Sequence, residues 1–339
     1  MNILFTCAGR RNYLINYFKE TLGEKGLVYA ADMQATAPAL IDADKAIIAP
    51  SIYDEGYIDF ILDKVKEYNI KAVISLNDLE LPIFSSNKDR FLELGVMPIV
   101  SNSEVINIAF DKWKTVEFLE KNGLKTPKTY IELAKAKEAL VNGELKYPVV
   151  VKPRWGSGSI AVDFAEDEEE LNLVYQLQSN KLKKSILATA SKEDLGRAIL
   201  IQEKIKGIEY GMDVLNDFEG NYYNTFLREK LSMRSGETDK AVSVINEKIS
   251  NIGRIIGEKL KHIGNLDCDV FSDGKYFYVL ELNPRFGGGY PFSHEAGVNT
   301  PAIYLDWLLG VKDVDKHNNY KAGVAFAKCD RLLNITKSL

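Results

Sequence analysis

Cysteine and histidine are scarce in this 339-residue chain, with three of each. Cys7, Cys268 and Cys329 stand far apart, with no CxxC and no histidine beside them at zinc-like spacing, which excludes a disulfide framework or an ordinary structural zinc site. Free buried thiols in a reducing compartment are the expectation. Nor does any run approach the ~20 apolar residues of a membrane span. The N-terminal MNILFTCAGRR has too short an apolar stretch for a signal peptide, and its charges follow the run instead of preceding it. These absences predict a soluble, cytoplasmic chain with no membrane partner. A basic excess is missing too: 43 Lys plus Arg face 48 Asp plus Glu, a net charge of −5, which argues against a nucleic-acid partner. What is present, 46% apolar and 27% charged residues, is ordinary globular composition. The length is that of two or three domains.

Through residues 2–100, short apolar runs of β type (3–7, 27–31, 72–76 and 97–100) alternate with helix-period segments (13–22, 57–68 and 82–94). This is the pattern of parallel βαβ units in an open α/β sheet. Ligands of such sheets sit beyond the strand carboxyl ends, which here carry Cys7-Ala8-Gly9-Arg10-Arg11, Asp32 and Asn77-Asp78. The first of these loops lacks GxGxxG, which disfavours a dinucleotide site; Arg10 and Arg11 either bind an anionic substrate or are merely solvated. A second unit opens near Ser103, with a helix over 111–122 stopped by Gly123 and Thr126-Pro127. Residues 146–216 read as a small α+β module. It runs through strand 147–152, a turn containing Gly156, Ser157, Gly158 and Ser159, strand 160–164, a helix opened by the acidic run 166–170, and strands 198–205 and 209–215. The last unit holds strand 222–228, a polar stretch 229–240, helix 247–263, a hairpin of 266–272 and 275–282, and a helix near 301–309. A cleft between the middle and last units is expected.

Three features carry chemistry. The Gly-Ser turn offers backbone N–H groups at glycines with no Cβ in the way, a nest for phosphate oxygens, although taken alone it reads first as a plain β-turn. It is not a Walker A loop, since no Gly-Lys-Ser/Thr is present. Lys152, closing an apolar strand just before it, is poised to place an ammonium among those phosphates. The second feature is the set Asp267, Asp269, Glu281 and Asn283, whose spacing by two puts each pair on one face of a strand. A three-residue turn with Gly274 in the left-handed region, or a bulge of equal effect, would set Asp267 opposite Glu281. Facing carboxylates call for a cation, and oxygen ligands with substrate phosphates suit Mg²⁺; the bland alternative is an acidic outer face of a sheet. Third, Arg285 closes Glu281-Leu282-Asn283-Pro284-Arg285, where its fork can stabilise a transferring phosphoryl group. Gly287, Gly288 and Gly289 let amides approach a substrate carboxylate or simply make a tight turn. Arg228, Lys230 and Arg234 are further candidates for substrate anions.

The order and spacing of Lys152, the glycine loop, Gln202-Glu203-Lys204-Ile205-Lys206-Gly207-Ile208-Glu209 and Glu281-Leu282-Asn283-Pro284-Arg285 resemble the ATP-grasp superfamily. The chain is similar to the ATP-binding half of carbamoyl-phosphate synthetase large subunits and to amino-acid (carboxylate–amine) ligases. The resemblance covers nearly the whole chain and implies a mixed α/β and α+β class. Residues 1–102 would be a Rossmann-like pre-ATP-grasp domain, 103–145 linker helices, 146–216 the lid, and 217–339 the C-terminal grasp core. It further implies that Lys112 and Lys152 contact the phosphates of ATP, with Gly156, Ser157, Gly158 and Ser159 as the phosphate loop. Gln202, Glu203, Lys204 and Ile205 would line the adenine, and Glu209 would hold the ribose. Asp267, Glu281 and Asn283 match the metal-ligand positions, and Arg285 the arginine beside the γ-phosphate. In two respects this sequence departs: Asp267 stands where many relatives have Glu or Gln, and the second synthetase half with its tunnel-linked partner is missing, which puts carbamoyl phosphate formation in doubt.

The function implied is an ADP-forming ligase that activates a small carboxylic acid or amino acid as an acyl phosphate and joins it to an amine. ATP and Mg²⁺, with Mn²⁺ as a substitute, are the implied cofactors, and a homodimer is compatible with it. Carbamoyl-phosphate-type or acid kinase activity, or a non-catalytic ATP-binding regulatory protein, are the alternatives. His294, five residues after Gly289, would be a substrate contact, a base, or a packed surface histidine.

Overall fold

The computed structural model describes residues 1–156, 162–184 and 192–336. In the N-terminal unit, strands β1 (Asn2–Thr6), β2 (Val28–Asp32), β3 (Lys45–Ile48), β4 (Ile70–Ser75) and β5 (Met97–Pro98) form a parallel sheet in the order β3-β2-β1-β4-β5. The chain winds one way from β1 to β2 and the other way to β4, so a crevice opens beyond β1 and β4, where Cys7 and Asn77-Asp78 emerge. Period-two alternation divides β1 between two cores. Leu4 packs with Val73, Ile61 and Phe84 on one face, and Ile3 and Phe5 with Leu14 and Phe18 on the other. Helix Asn12–Leu22 supplies the second set by burying Leu14, Ile15, Phe18 and Leu22. Each fully buried side chain of that size contributes roughly 1.5–3 kcal/mol. Phe286, Tyr290, Ile303 and Tyr304 from the far end of the chain complete this core.

A four-stranded antiparallel sheet comprises β6 (Thr129–Tyr130), β7 (Val149–Pro153), β8 (Asp163–Ala165) and β9 (Ile199–Glu203), in the order β6-β9-β7-β8. It has its own small core of Val149, Val151, Ile199 and Ile201 against Ala136, Ala139 and Leu171 of two helices, Leu133–Val141 and Glu168–Leu182. Asp167 caps the second helix through the Glu170 amide, and three glutamates fill its first turn, as the acidic run implied. Ser157, Gly158 and Ser159 lie outside the described residues.

The largest sheet has six strands: β10 (Ile208–Asn216), β11 (Tyr222–Arg234), β12 (Glu237–Val244), β13 (Gly264–Ser272), β14 (Phe277–Asn283) and β15 (Ala325–Ala327), ordered β14-β13-β10-β11-β12-β15. Two expectations change here. Residues 208–216 do not belong with the module begun at 146. They pair along their length with β13 and also with β11, and these two ladders outweigh anything the four-stranded sheet offers. Gly207 makes the crossing, since a Cβ there would lie 1.8 Å from the Ser272 carbonyl oxygen. The polar stretch 229–240 is a hairpin, with Ser235 and Gly236 both at positive φ in its turn, as two-residue connections require. Its charges read as loop because Arg228 and Lys230 point inward to carboxylates on β10 and β13. Helix Glu247–Leu260 covers this sheet, seating Gly253 where a Cβ would strike the Thr225 side chain. No helix among the described residues is long and apolar enough to cross a membrane.

Candidate active site

A pocket of about 710 Å³ lies between the four- and six-stranded sheets and reaches the carboxyl end of β4. That volume is in the usual range for a small-molecule site. Its floor begins at helix Lys112–Lys121, whose cap is Asp111. Asp111 also receives the Arg154 guanidinium through two 2.7 Å hydrogen bonds, Nε to Oδ1 and Nη2 to Oδ2. This bidentate pair fixes the end of β7 against the helix start. The Lys112 amide donates to Arg154 O, and its ammonium reaches the Gly156 carbonyl. Lys112 and Gly156 thus meet where the glycine turn begins.

Lys152 sits inside the pocket wall, 6% exposed. Its Nζ donates to Gln202 Oε1 at 2.8 Å, and Gln202 Nε2 donates to Thr129 Oγ1 at 2.7 Å. Burial, with help from Lys112, depresses the Lys152 ammonium to about 8, while Glu281 and Asp269 pull the other way. The free protein therefore carries this charge below that pH and loses it above. A polyanion beside Lys152 favours the charged form. Triphosphate binding at about pH 9 is accordingly expected to take up close to one proton, and near pH 7 almost none. Calorimetry in two buffers of different ionisation heat reads this directly. Uptake that persists in Lys152→Met would assign the proton elsewhere.

The acidic edge takes its shape from a bulge. Between Val270↔Val279 and Asp269↔Glu281 the β13–β14 register shifts by one residue, leaving Leu280 unpaired and bringing Glu281 and Asn283 onto the face of Asp267 and Asp269. The two acidic pairs do meet, but Asp269 faces Glu281 and Asp267 faces Asn283. Asp267, expected among the metal ligands with Glu281 and Asn283, lies opposite Asn283, and its Oδ1 accepts from Arg228 Nη2 at 2.7 Å. Glu209, expected at the ribose, shares Lys230 with Asp269, each at 2.6 Å. Glu281 has no ion pair among the described residues and accepts only from Asn283 Nδ2 at 3.3 Å. Glu209 and Asp269 thus share one ammonium, while Glu281 stands beside them with no ion pair among the described residues.

Arg285 lines the same pocket. Its Nε and Nη2 both reach Asp78 Oδ2, at 3.1 and 2.7 Å, and Asp267 Oδ2 lies 3.7 Å from Nη1. The first pair joins residues 207 positions apart. Asp78 is itself fixed by a buried anchor: the next helix begins at Glu80, whose carboxylate accepts from Thr6, Ser75 and Tyr57 hydroxyls. Burial pushes the Glu80 carboxyl up, against those hydrogen bonds.

Most of the residues expected from the sequence converge here. Lys112, Lys152, Gly156, Gln202, Glu203, Lys204, Ile205, Glu209, Arg228, Asp267, Glu281, Asn283, Arg285, Gly288 and Gly289 all line the pocket. Three substrate candidates do not. Arg10 is exposed outside it, because the turn at Cys7 and Gly9, both at positive φ, delivers Arg11 instead. Arg234 is bound to Asp239 and Asp330 at the hairpin tip. His294 stacks on Tyr17 at 3.6 Å and hydrogen-bonds Tyr290; burial lowers its pKa to about 4, so it is a packed histidine. Arg228 lines the pocket, yet its Nη1 and Nη2 are already paired with Asp213 and Asp267. Sequence reasoning missed Asp111, Arg154 and Glu237 outright, and saw Asp78 only as a strand-end residue without a partner.

Residues 109–289, over half the chain, match the ATP-grasp domain family, and residues 3–99 match the PylC-like, N-terminal domain. A carbamoyl phosphate synthase large chain of Clostridium beijerinckii is 26% identical over 234 residues, which is 65% of this chain and 20% of that one. The chain spans only about a fifth of the length of this relative. Among solved structures, a Campylobacter jejuni biotin carboxylase aligns with TM-score 0.70 and 19% identity over 91% of this chain and 71% of that one. An L-amino acid ligase from Bacillus licheniformis aligns at 0.65 and 20%, over 91% and 74%. At these identities the likeness is one of fold. Lys152 on the smaller sheet faces Glu281 and Asn283 on the edge of the larger one, within a stretch that the family covers from end to end, and the chain belongs to the ATP-grasp family.

Proposed function

We propose that this chain is an ATP-dependent, ADP-forming ligase that activates a small carboxylic acid or amino acid as an acyl phosphate and passes the acyl group to an amine. The observation that carries this reading is the meeting, in one pocket, of a buried Lys152 with an acidic edge at Glu281 and Asn283 and an arginine fork at Arg285. Lys112 and Lys152 would bind phosphate oxygens, and Gln202 to Ile205 would lie along the base. The donor set fits a divalent cation: Glu281 offers a carboxylate with no ion pair among the described residues beside the Asn283 amide, and no three acidic, His or Cys side chains among the described residues form a complete cage alone. Mg²⁺ is the ion that takes one or two carboxylates and completes its shell with phosphates and water. Glu281, Asn283 and Asp269 would hold it, and it would supply neutralisation of charge on the phosphates.

In the reaction a carboxylate oxygen bonds to the γ-phosphorus as the β–γ bridging bond breaks, and ADP departs with that electron pair. The amine nitrogen then bonds to the acyl carbon, phosphate leaves, and the nitrogen loses its proton. Arg285, held by Asp78 through Nε and Nη2, would orient the transferring group through its remaining edge at Nη1. Water must be kept from the acyl phosphate, and the four-stranded sheet, with its separate core, is the part able to close. The test is incubation with ATP, Mg²⁺ and a panel of acids and amines. ADP, phosphate and an amide product are expected by chromatography and mass spectrometry. AMP with pyrophosphate would refute the mechanism, and acyl phosphate without amide would mark an acid kinase.

A further inference from the structure

Beside Gly288, three distant segments bring charged groups together. Arg11 comes from the loop after β1, Glu237 from the β11–β12 hairpin tip, and Lys328 from just beyond β15. Arg11 Nη1 donates to Glu237 Oε1 at 2.7 Å, and Lys328 Nζ to Glu237 Oε2 at 3.3 Å. Both cations have a second anchor. Arg11 Nη1 also reaches Tyr13 Oη at 3.3 Å, and Lys328 Nζ donates to Gly288 O at 2.8 Å. Among the described residues Glu237 has only the two cations, its side chain is 45% exposed, and it follows the Ser235-Gly236 turn. Of the three, it is the group free to leave. Two cations against one carboxylate keep a net positive charge when paired and a double one when Glu237 withdraws. The floor is open to the pocket because residue 288 is glycine: a Cβ there would lie 2.8 Å from Glu237 Oε2 and 3.0 Å from Arg11 Nη1. Arg11, Glu237 and Gly288 all line the pocket that holds Arg285.

We propose that Arg11 and Lys328 form an anion subsite for a substrate carboxylate other than the one that reacts, and that Glu237 occupies it as an internal stand-in until substrate displaces it. A carboxylate is the fitting group because a carboxylate already bridges the two cations. The substrate class is then a dicarboxylic acid, or an amino acid serving as the amine with its own carboxylate intact. This deepens the ligase reading and rests on it for the reacting partner. A hairpin that moves with Glu237 also links substrate entry to the rim of the pocket, since Met233, Gly236 and Thr238 line it too.

The experiment titrates the full chain, with Mg²⁺ and the β,γ-imido analogue of ATP, against amino acids, their carboxamides, succinate and glutarate by calorimetry, and repeats the panel with ATP for ADP release. Binding is expected only for ligands with a carboxylate to spare, the two arms separating diacid from amino acid. Arg11→Leu and Lys328→Met should each weaken it by about 10- to 100-fold, leave the carboxamides unaffected, and leave binding of the ATP analogue within about twofold. Arg11→Lys should keep part of it, and Glu237→Gln should tighten it. Carboxamides binding as well as acids, no binding by any carboxylate, or an Arg11→Leu protein that is folded by circular dichroism and binds normally would overturn the proposal. Carboxylates that bind without ADP release, even when acids and amines of the panel are offered together in pairs, would instead sink the ligase reading and leave the subsite standing.

Discussion

Glu281→Gln is expected to cut ADP-forming turnover about 10²- to 10³-fold while the protein stays folded. The substitution keeps shape and one carbonyl oxygen for the Asn283 amide, so the β13–β14 ladder has no reason to shift. What it removes is the one pocket carboxylate of this edge without an ion pair among the described residues. If that carboxylate helps hold the divalent cation, the stabilisation lost is several kcal/mol, and each 1.36 kcal/mol is tenfold in rate. The Mg²⁺ concentration for half-maximal rate should rise in parallel. A second readout moves with it. Glu281 is one of the two carboxylates holding the Lys152 ammonium up, so without it the Lys152 pKa falls below about 8, and proton uptake on triphosphate binding should begin at lower pH. Turnover within threefold of the native chain would remove Glu281 from the site.

Arg285→Ala carries the next largest effect, and it strikes both rate and stability. A preorganised donor aimed at developing charge is worth about 10²–10³-fold in kcat, and the loss should fall on kcat more than on the KM for ATP. The same change strips a guanidinium from Asp78 and draws one away from Asp267, both mostly buried. Breaking a buried pair from one side costs about 3–5 kcal/mol, which denaturant unfolding would register. Asp78→Asn should be milder, since it keeps a hydrogen-bond acceptor and leaves Arg285 charged. Arg285→Lys is not expected to rescue, because a single ammonium cannot reach Asp78 and still present a second planar edge. Normal turnover by a folded Arg285→Ala protein would rule out its role in transfer.

Much of this was legible in the chain because the signals were local. The β-branched run into Lys152, the i and i+2 spacing of Glu281 and Asn283, and the alternation of strands and helices before residue 100 each report on neighbours in sequence. Register is different. The bulge that sets Glu281 against Asp269 depends on how β14 settles on β13, and nothing in Tyr278-Val279-Leu280 announces it. The ion pairs escaped for a related reason: Asp111 and Arg154 lie 43 positions apart, Asp78 and Arg285 207, and any Asp or Arg in a polar turn looks like a solvated charge. The β11–β12 hairpin was hidden because its inward charges, Arg228 and Lys230, break the apolar alternation by which a half-buried strand is read. β3, only four residues long and lying on the sheet edge, is too short for its Ala46-Ile47-Ile48 run to show a period.

The aromatic core that Phe5 and Phe18 share with Phe286 and Tyr304 also sets an order of events during synthesis. The first hundred residues can assemble their parallel sheet early, with helix Asn12–Leu22 on one face, yet the side of that helix and sheet which meets Phe286 and Tyr304 lacks this part of its cover until the chain has grown by nearly two hundred more. At a ribosomal pace of about 5–20 residues per second, that side waits on the order of ten to forty seconds. The nascent chain is thus exposed to mispairing in the interval when its parallel sheet is built and its closing aromatics have yet to emerge.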